Sequence, residues 1–215
     1  MMDILHSAIN FVLHFEVYLD LIIQTYHGWT YLFLFLIIFL ETGVVVCPFL
    51  PGDSLLFAIG AFAARGSFDF MAISLTLFAA ALIGDNLNYT LGRKLGGKLF
   101  SKEDSKIFNK AHLNRAHSFY EKYGAKTIIL ARFIPIVRTF APFVAGIGRM
   151  TYKKFILFSV LGAGLWIFSF IPLGYYFGNL PAVKQNFKIV MLVIIFISVA
   201  PALIEVVQAR RGKKS

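Results

Sequence analysis

The sequence predicts an all-α integral membrane protein, with about three full transmembrane helices and two oppositely oriented re-entrant hairpins in an inverted repeat. Amphipathic interfacial helices flank them. Three observations carry the prediction. Of 215 residues, 58% are hydrophobic and only 15% charged, against roughly a quarter charged in soluble domains. The apolar residues come in long runs, and two of these are broken near the middle by proline and charge. The basic residues are segregated into a few segments. A net charge of +10 would otherwise point to nucleic acid, but runs of this kind exclude a soluble binder and leave anionic lipid as the partner.

The elements follow in order within a single membrane domain, 1–215. Residues 1–20 start without a basic region and are broken by Asp3, His6, His14, Glu16 and Asp20. They read as an amphipathic surface segment rather than a cleaved signal. Residues 26–64 form the first hairpin, with its tip at Pro48, Pro51 and Gly52. Proline removes a backbone donor, and a lipid-exposed helix broken in this way would leave polar backbone in hydrocarbon. Residues 70–92 cross the bilayer, provided that Asp85, Asn86 and Asn88 are accepted inside it, and close the first half (1–92).

Segment 93–126 holds nine basic residues, from Arg93 to Lys126, against Glu103, Asp104 and Glu121. The tail adds Arg210, Arg211, Lys213 and Lys214. The positive-inside rule places both on the cytoplasmic face, as it does Arg149, Lys153 and Lys154. The stretch between, 127–148, must therefore enter and return on one side as a second hairpin, with its tip at Pro135 and Pro142. It opens a second half, 127–178, whose segment around Phe155–Phe177 is long enough to cross. An additional C-terminal helix spans 189–207 and leaves the C-terminus cytoplasmic. The alternative, in which Trp29–Val46 crosses fully and the N-terminus is cytoplasmic, stays open.

Phe49-Leu50-Pro51-Gly52-Asp53-Ser54 can be laid over Phe133-Ile134-Pro135-Ile136-Val137-Arg138-Thr139 with one insertion, and Gly60 and Gly146 end the two copies. Broken elements in corresponding halves of opposite topology are a sequence pointer to a midplane binding site. Glu41, Asp53, Arg132 and Arg138 fall inside the hairpins, where each isolated charge costs roughly 2.5–3.5 kcal/mol. Two acids in one hairpin and two arginines in the other compensate if the tips meet. Arginine is a permanent bidentate donor suited to phosphate, so Arg132 and Arg138 are the candidate phosphate ligands. Glu41 and Asp53 are the candidate proton relay. A purely structural ion-pair clasp is the rival reading.

Asp85, Asn88 and Tyr89 form an i, i+3, i+4 polar face that either lines a pathway or clamps helices together. Gly92-xxx-Gly96 and Gly174-xxx-Gly178 have helix-packing spacings. Cys47 is alone. No P-loop, HExxH, GxSxG or Cys/His zinc spacing occurs, so no metal, cofactor or enzymatic activity is expected.

The stretches FLETGVVVCPFLPGDSLLFAIGAFAARG, GDNLNYTLGRKLG, FYEKYGAKTIILARFIPIVRTFAPFVAGIGRM and WIFSFIPLGYYFGN resemble the DedA family of bacterial inner-membrane proteins over essentially residues 1–210. The resemblance implies two oppositely oriented re-entrant loops and proton-motive-force-dependent transport. Some branches move the carrier undecaprenyl phosphate, and eukaryotic relatives scramble phospholipids. It also implies functional roles for Glu41, Asp53, Arg132 and Arg138. The expected activity is a proton-coupled flippase for a lipid phosphate. The alternatives are a cation/proton antiporter or small-molecule exporter, and a non-catalytic membrane scaffold. So small a body leaves room for a homo-oligomer.

Overall fold

The computed structural model describes residues 28–43, 52–99 and 126–186, with isolated positions at 21–26, 124 and 189–194. Among the described residues every regular element is a helix, with no strand. The elements are α1 (Trp29–Gly43), α2 (Gly52–Ala64), α3 (Phe70–Leu99), α4 (Lys126–Ala131), α5 (Pro135–Ile147), α6 (Tyr152–Phe177) and α7 (Pro181–Gln185). The interfacial segment 1–20, most of the basic segment 93–126, Cys47, Pro48, Pro51 and most of 189–207 lie outside the described residues.

Two helices are long and apolar enough to cross a membrane, over Phe70–Leu95 and Tyr152–Phe177. The first extends past the expected end at residue 92, and α3 continues to Leu99. Its start is fixed by Asp69, whose Oδ1 accepts the Ala72 N–H at 2.7 Å, satisfying a first-turn donor that the helix leaves open. α1 and α2 have 15 and 13 residues. At 1.5 Å per residue they reach only about 20–22 Å, short of a ~30 Å hydrocarbon core. The second broken region is asymmetric, with six residues in α4 and 13 in α5. Pro135 starts α5 after an extended Ile134, where a missing N–H costs nothing. Pro142 is a correction to the expected tip, because it lies inside α5. Its ring denies Arg138 an intrahelical donor without ending the helix.

Small residues set the packing. Gly60 of α2 lies on the carbonyl of Ile171 in α6, and Gly174 of α6 lies on the carbonyl of Phe57 in α2. The same reciprocal contact recurs between α3 and α5. Gly92 lies on the Phe143 carbonyl, and Gly146 lies on that of Tyr89. In each case the carbonyl stands three residues before the glycine that faces back. Such contacts let backbones approach where no hydrophobic drive separates helix from lipid. The helix that follows each proline break thus packs on the long helix of the other half.

The main apolar core gathers Leu34, Leu56, Phe62, Leu77, Trp166 and Ile171. A smaller cluster joins Tyr89, Ile128, Ala145 and Phe155. The outer face of α6 exposes Leu157, Leu161, Leu165 and Tyr176, an apolar surface suited to hydrocarbon rather than water.

Candidate functional site

The ends of the short helices place charge beside the long ones. Glu41 sits in the last turn of α1, Asp53 in the first turn of α2, and Arg132 just after α4. Asp53 and Arg132 each match the partial charge of the helix terminus they occupy. Glu41 does not, and it relies on a direct cation. Arg138 lies in α5 and Asp85 in α3. All five side chains belong to residues no more than 5% exposed.

Two centres result. Arg138 is shared by two acids: its Nη2 donates to Glu41 Oε1, and its Nη1 donates to Asp53 Oδ1 at 2.7 Å. Arg132 donates through Nη2 to Asp85 Oδ2, which also accepts the Ser159 hydroxyl. Between the centres lies Trp166. Its indole N–H donates to Asp53 Oδ1 at 2.7 Å, and the guanidinium carbons of Arg138 and Arg132 stand 4.8 and 5.9 Å from its ring centroid. Both lie within cation–π reach.

The structure thus brings together the four charges expected from sequence and adds a fifth. The two broken regions neutralise one another only in part: Arg138 meets Glu41 and Asp53 as expected, whereas Arg132 takes its carboxylate from α3. Three acids against two arginines leave the cluster one negative charge in excess, counted formally, where the expectation had been a balance. Ser159 and Trp166 were not anticipated. With Gly162, where an added Cβ would stand 3.3 Å from Arg132 Nε, they form an i, i+3, i+7 stripe of small or polar-tipped residues along α6.

Asn88 acts as a clamp. Its Nδ2 donates to the Thr42 carbonyl at 3.1 Å and the Thr139 carbonyl at 2.7 Å. These are the residues immediately after Glu41 and Arg138, so one amide holds both partners of that ion pair in register. Tyr89 stacks on Phe155 with centroids 4.2 Å apart, donates to the Met150 carbonyl and accepts from Arg93. It fastens α3 to the turn before α6 and stands apart from the charges.

Among the described residues, Glu41 Oε2, Asn88 Oδ1, Arg132 Nε and Arg138 Nε are buried without a hydrogen-bond partner. An unmet buried polar atom is costly, and these four gather around one cluster, which makes it the candidate site. Gly52 packs so closely that an added Cβ would land on both carboxylate oxygens of Glu41 and 2.8 Å from Arg138 Nη2. Gly52→Ala is therefore expected to pry the pair apart and destabilise the protein by about 1–3 kcal/mol. Gly28→Ala, which meets open space, should leave thermal denaturation in detergent unchanged.

The chain matches the VTT domain over residues 50–176, a range that includes Asp53, Asp85, Arg132, Arg138, Ser159 and Trp166 and leaves out Glu41. It is 51% identical over 214 residues to Protein DedA of Escherichia coli (strain K12), covering 98% of this chain and 97% of that protein. An uncharacterized membrane protein of Mycobacterium leprae is 44% identical, covering 78% of this chain and 75% of its own. Inner membrane protein YqjA of E. coli (strain K12) is 34% identical, covering 72% and 70%. No solved structure matches. A full-length match at this identity, with the domain spanning the buried charges, makes the chain a member of the DedA family.

Proposed function

We propose that the protein is a transporter of the bacterial inner membrane, not an enzyme, that flips a lipid phosphate such as undecaprenyl phosphate or a phospholipid in step with protons. The observation that carries the reading is the pair of buried arginines, each neutralised by carboxylates, where the short helices meet the long ones. Arginine recognises phosphate bidentately, yet here the guanidinium groups are occupied. A headgroup gains an arginine only when a carboxylate gives way, and protonating Glu41 or Asp53 removes one of the two charges that hold Arg138. Proton entry and phosphate binding then favour each other reciprocally. The lipid tail stays in the bilayer, along the apolar outer face. The name of the E. coli relative supports the inner membrane, and the basic segments support a cytoplasmic C-terminus on anionic lipid. A homo-oligomer fits so small a body.

Headgroup accessibility in reconstituted vesicles tests the reading. Wild type is expected to equilibrate a labelled lipid phosphate across the bilayer faster under an imposed proton gradient. Glu41→Gln should retain folding and lose the gradient dependence. Movement of the lipid by Glu41→Gln at the wild-type, gradient-dependent rate would overturn the role of Glu41. The excess carboxylate gives specific support to one alternative, cation–proton exchange. Cation flux in vesicles without any lipid phosphate would favour it.

A further inference from the structure

We infer that Asp85 is a built-in competitor that occupies, on Arg132, the place of the transported phosphate, and that Ser159 and Arg132 together form the anion site it covers. The inference rests on the lipid-phosphate reading and deepens it by dividing the two arginines between two tasks. Arg138 is held by two acids from two helices, and a further anion there meets a centre that is already negative. Arg132 is held by one acid only, so its centre is neutral and exchange is simpler.

The geometry of the Arg132 pair is that of a partly used site. Nε and Nη2 form one edge of a guanidinium, the edge that grips two oxygens of a carboxylate or phosphate at once. Asp85 takes Nη2 alone, while Nε finds no acceptor among the described residues. The oxygen bound by Nη2 also accepts Ser159 Oγ. A phosphate monoester in the place of the carboxylate has enough oxygens for all three donors: Nε, Nη2 and the Ser159 hydroxyl. Asp85 therefore shields Arg132 when no substrate is present, and a better-matched anion displaces it.

Trp166 makes the exchange visible. The chain has two tryptophans. Trp29 is exposed at the start of α1, so Trp29→Phe leaves Trp166, which faces both guanidinium groups, as the only indole. In that background, emission is followed as dodecyl phosphate is titrated into protein in dodecyl maltoside. Saturable binding is expected without further change. Asp85→Asn removes the competing charge and should bind about tenfold more tightly, even though its thermal stability without ligand falls. Asp85→Glu, one methylene longer, reaches both Nε and Nη2 and should bind several-fold more weakly. Unchanged or weaker binding by Asp85→Asn overturns the competitor role and leaves the flippase reading standing. Absence of saturable binding in all three proteins overturns both. Should Asp85→Asn fail to fold, Asp85→Glu decides: weaker binding supports the inference, and equal or tighter binding overturns it.

Discussion

Arg138→Ala is expected to destabilise the protein by about 3–5 kcal/mol, the range for breaking a buried ion pair from one side, and to abolish lipid movement. The guanidinium is the shared partner of Glu41 and Asp53, so its loss strands two carboxylates in a region closed to water. Thermal denaturation in detergent measures the first effect, and the vesicle assay measures the second. A companion variant separates them. Neutralising the centre at nearly constant shape (Glu41→Gln, Asp53→Asn and Arg138→Met together) removes every charge at once. Such replacements are often neutral or stabilising by about 1–4 kcal/mol. This triple variant should therefore denature at or above the wild-type temperature and still transport nothing. If it transports, the centre is a structural clasp, and the functional assignment to these residues falls.

Gly174→Ala is expected to be the most damaging single methyl group that can be added to α6. Its Cβ would fall on the carbonyl of Phe57 and within 3.0 Å of the Phe57 Cα, and neither atom can swing aside as a side chain does. α2 and α6 must separate, and those two helices carry Asp53 and Trp166, whose hydrogen bond joins them across the site. Overpacking of this kind costs about 1–3 kcal/mol. The displaced bond adds roughly 1 kcal/mol more. Gly164→Ala provides the comparison. Its Cβ meets only the edge of Phe78, at 3.8 Å, and should change stability by less than about 0.5 kcal/mol. The fraction of each variant that survives heating as a single folded species on size exclusion reads both.

Much of this architecture is legible in the residues. Apolar length alone locates α6, α3 follows once Asp85, Asn86 and Asn88 are accepted inside it, and proline with charge inside an apolar run locates the breaks before α2 and before α5. The pairing was not legible. Asp85 lies 47 positions from Arg132, and its neighbours Asn88 and Tyr89 make it look like one member of a polar stripe. In fact the three residues do three things: Asp85 neutralises an arginine, Asn88 joins two backbones and Tyr89 fastens a turn. Trp166 was hidden because an indole inside a membrane helix reads as bulk. Only its spacing from Ser159 and Gly162 distinguished it. Pro142 misled for a physical reason, since a proline marks a break only when the helix cannot tolerate one open carbonyl.

The reciprocal glycine contacts also bear on how the chain is made. Because α2 packs on α6, and α5 on α3, neither half holds its own partner. Asp53 is synthesised 85 residues before Arg138. At about 5–20 residues per second, that is a delay of roughly 4–17 s. Through that interval Glu41 and Asp53 lack the guanidinium that pairs them, and a chain cut short before α6 still lacks Trp166 and Ser159, which donate to Asp53 and Asp85.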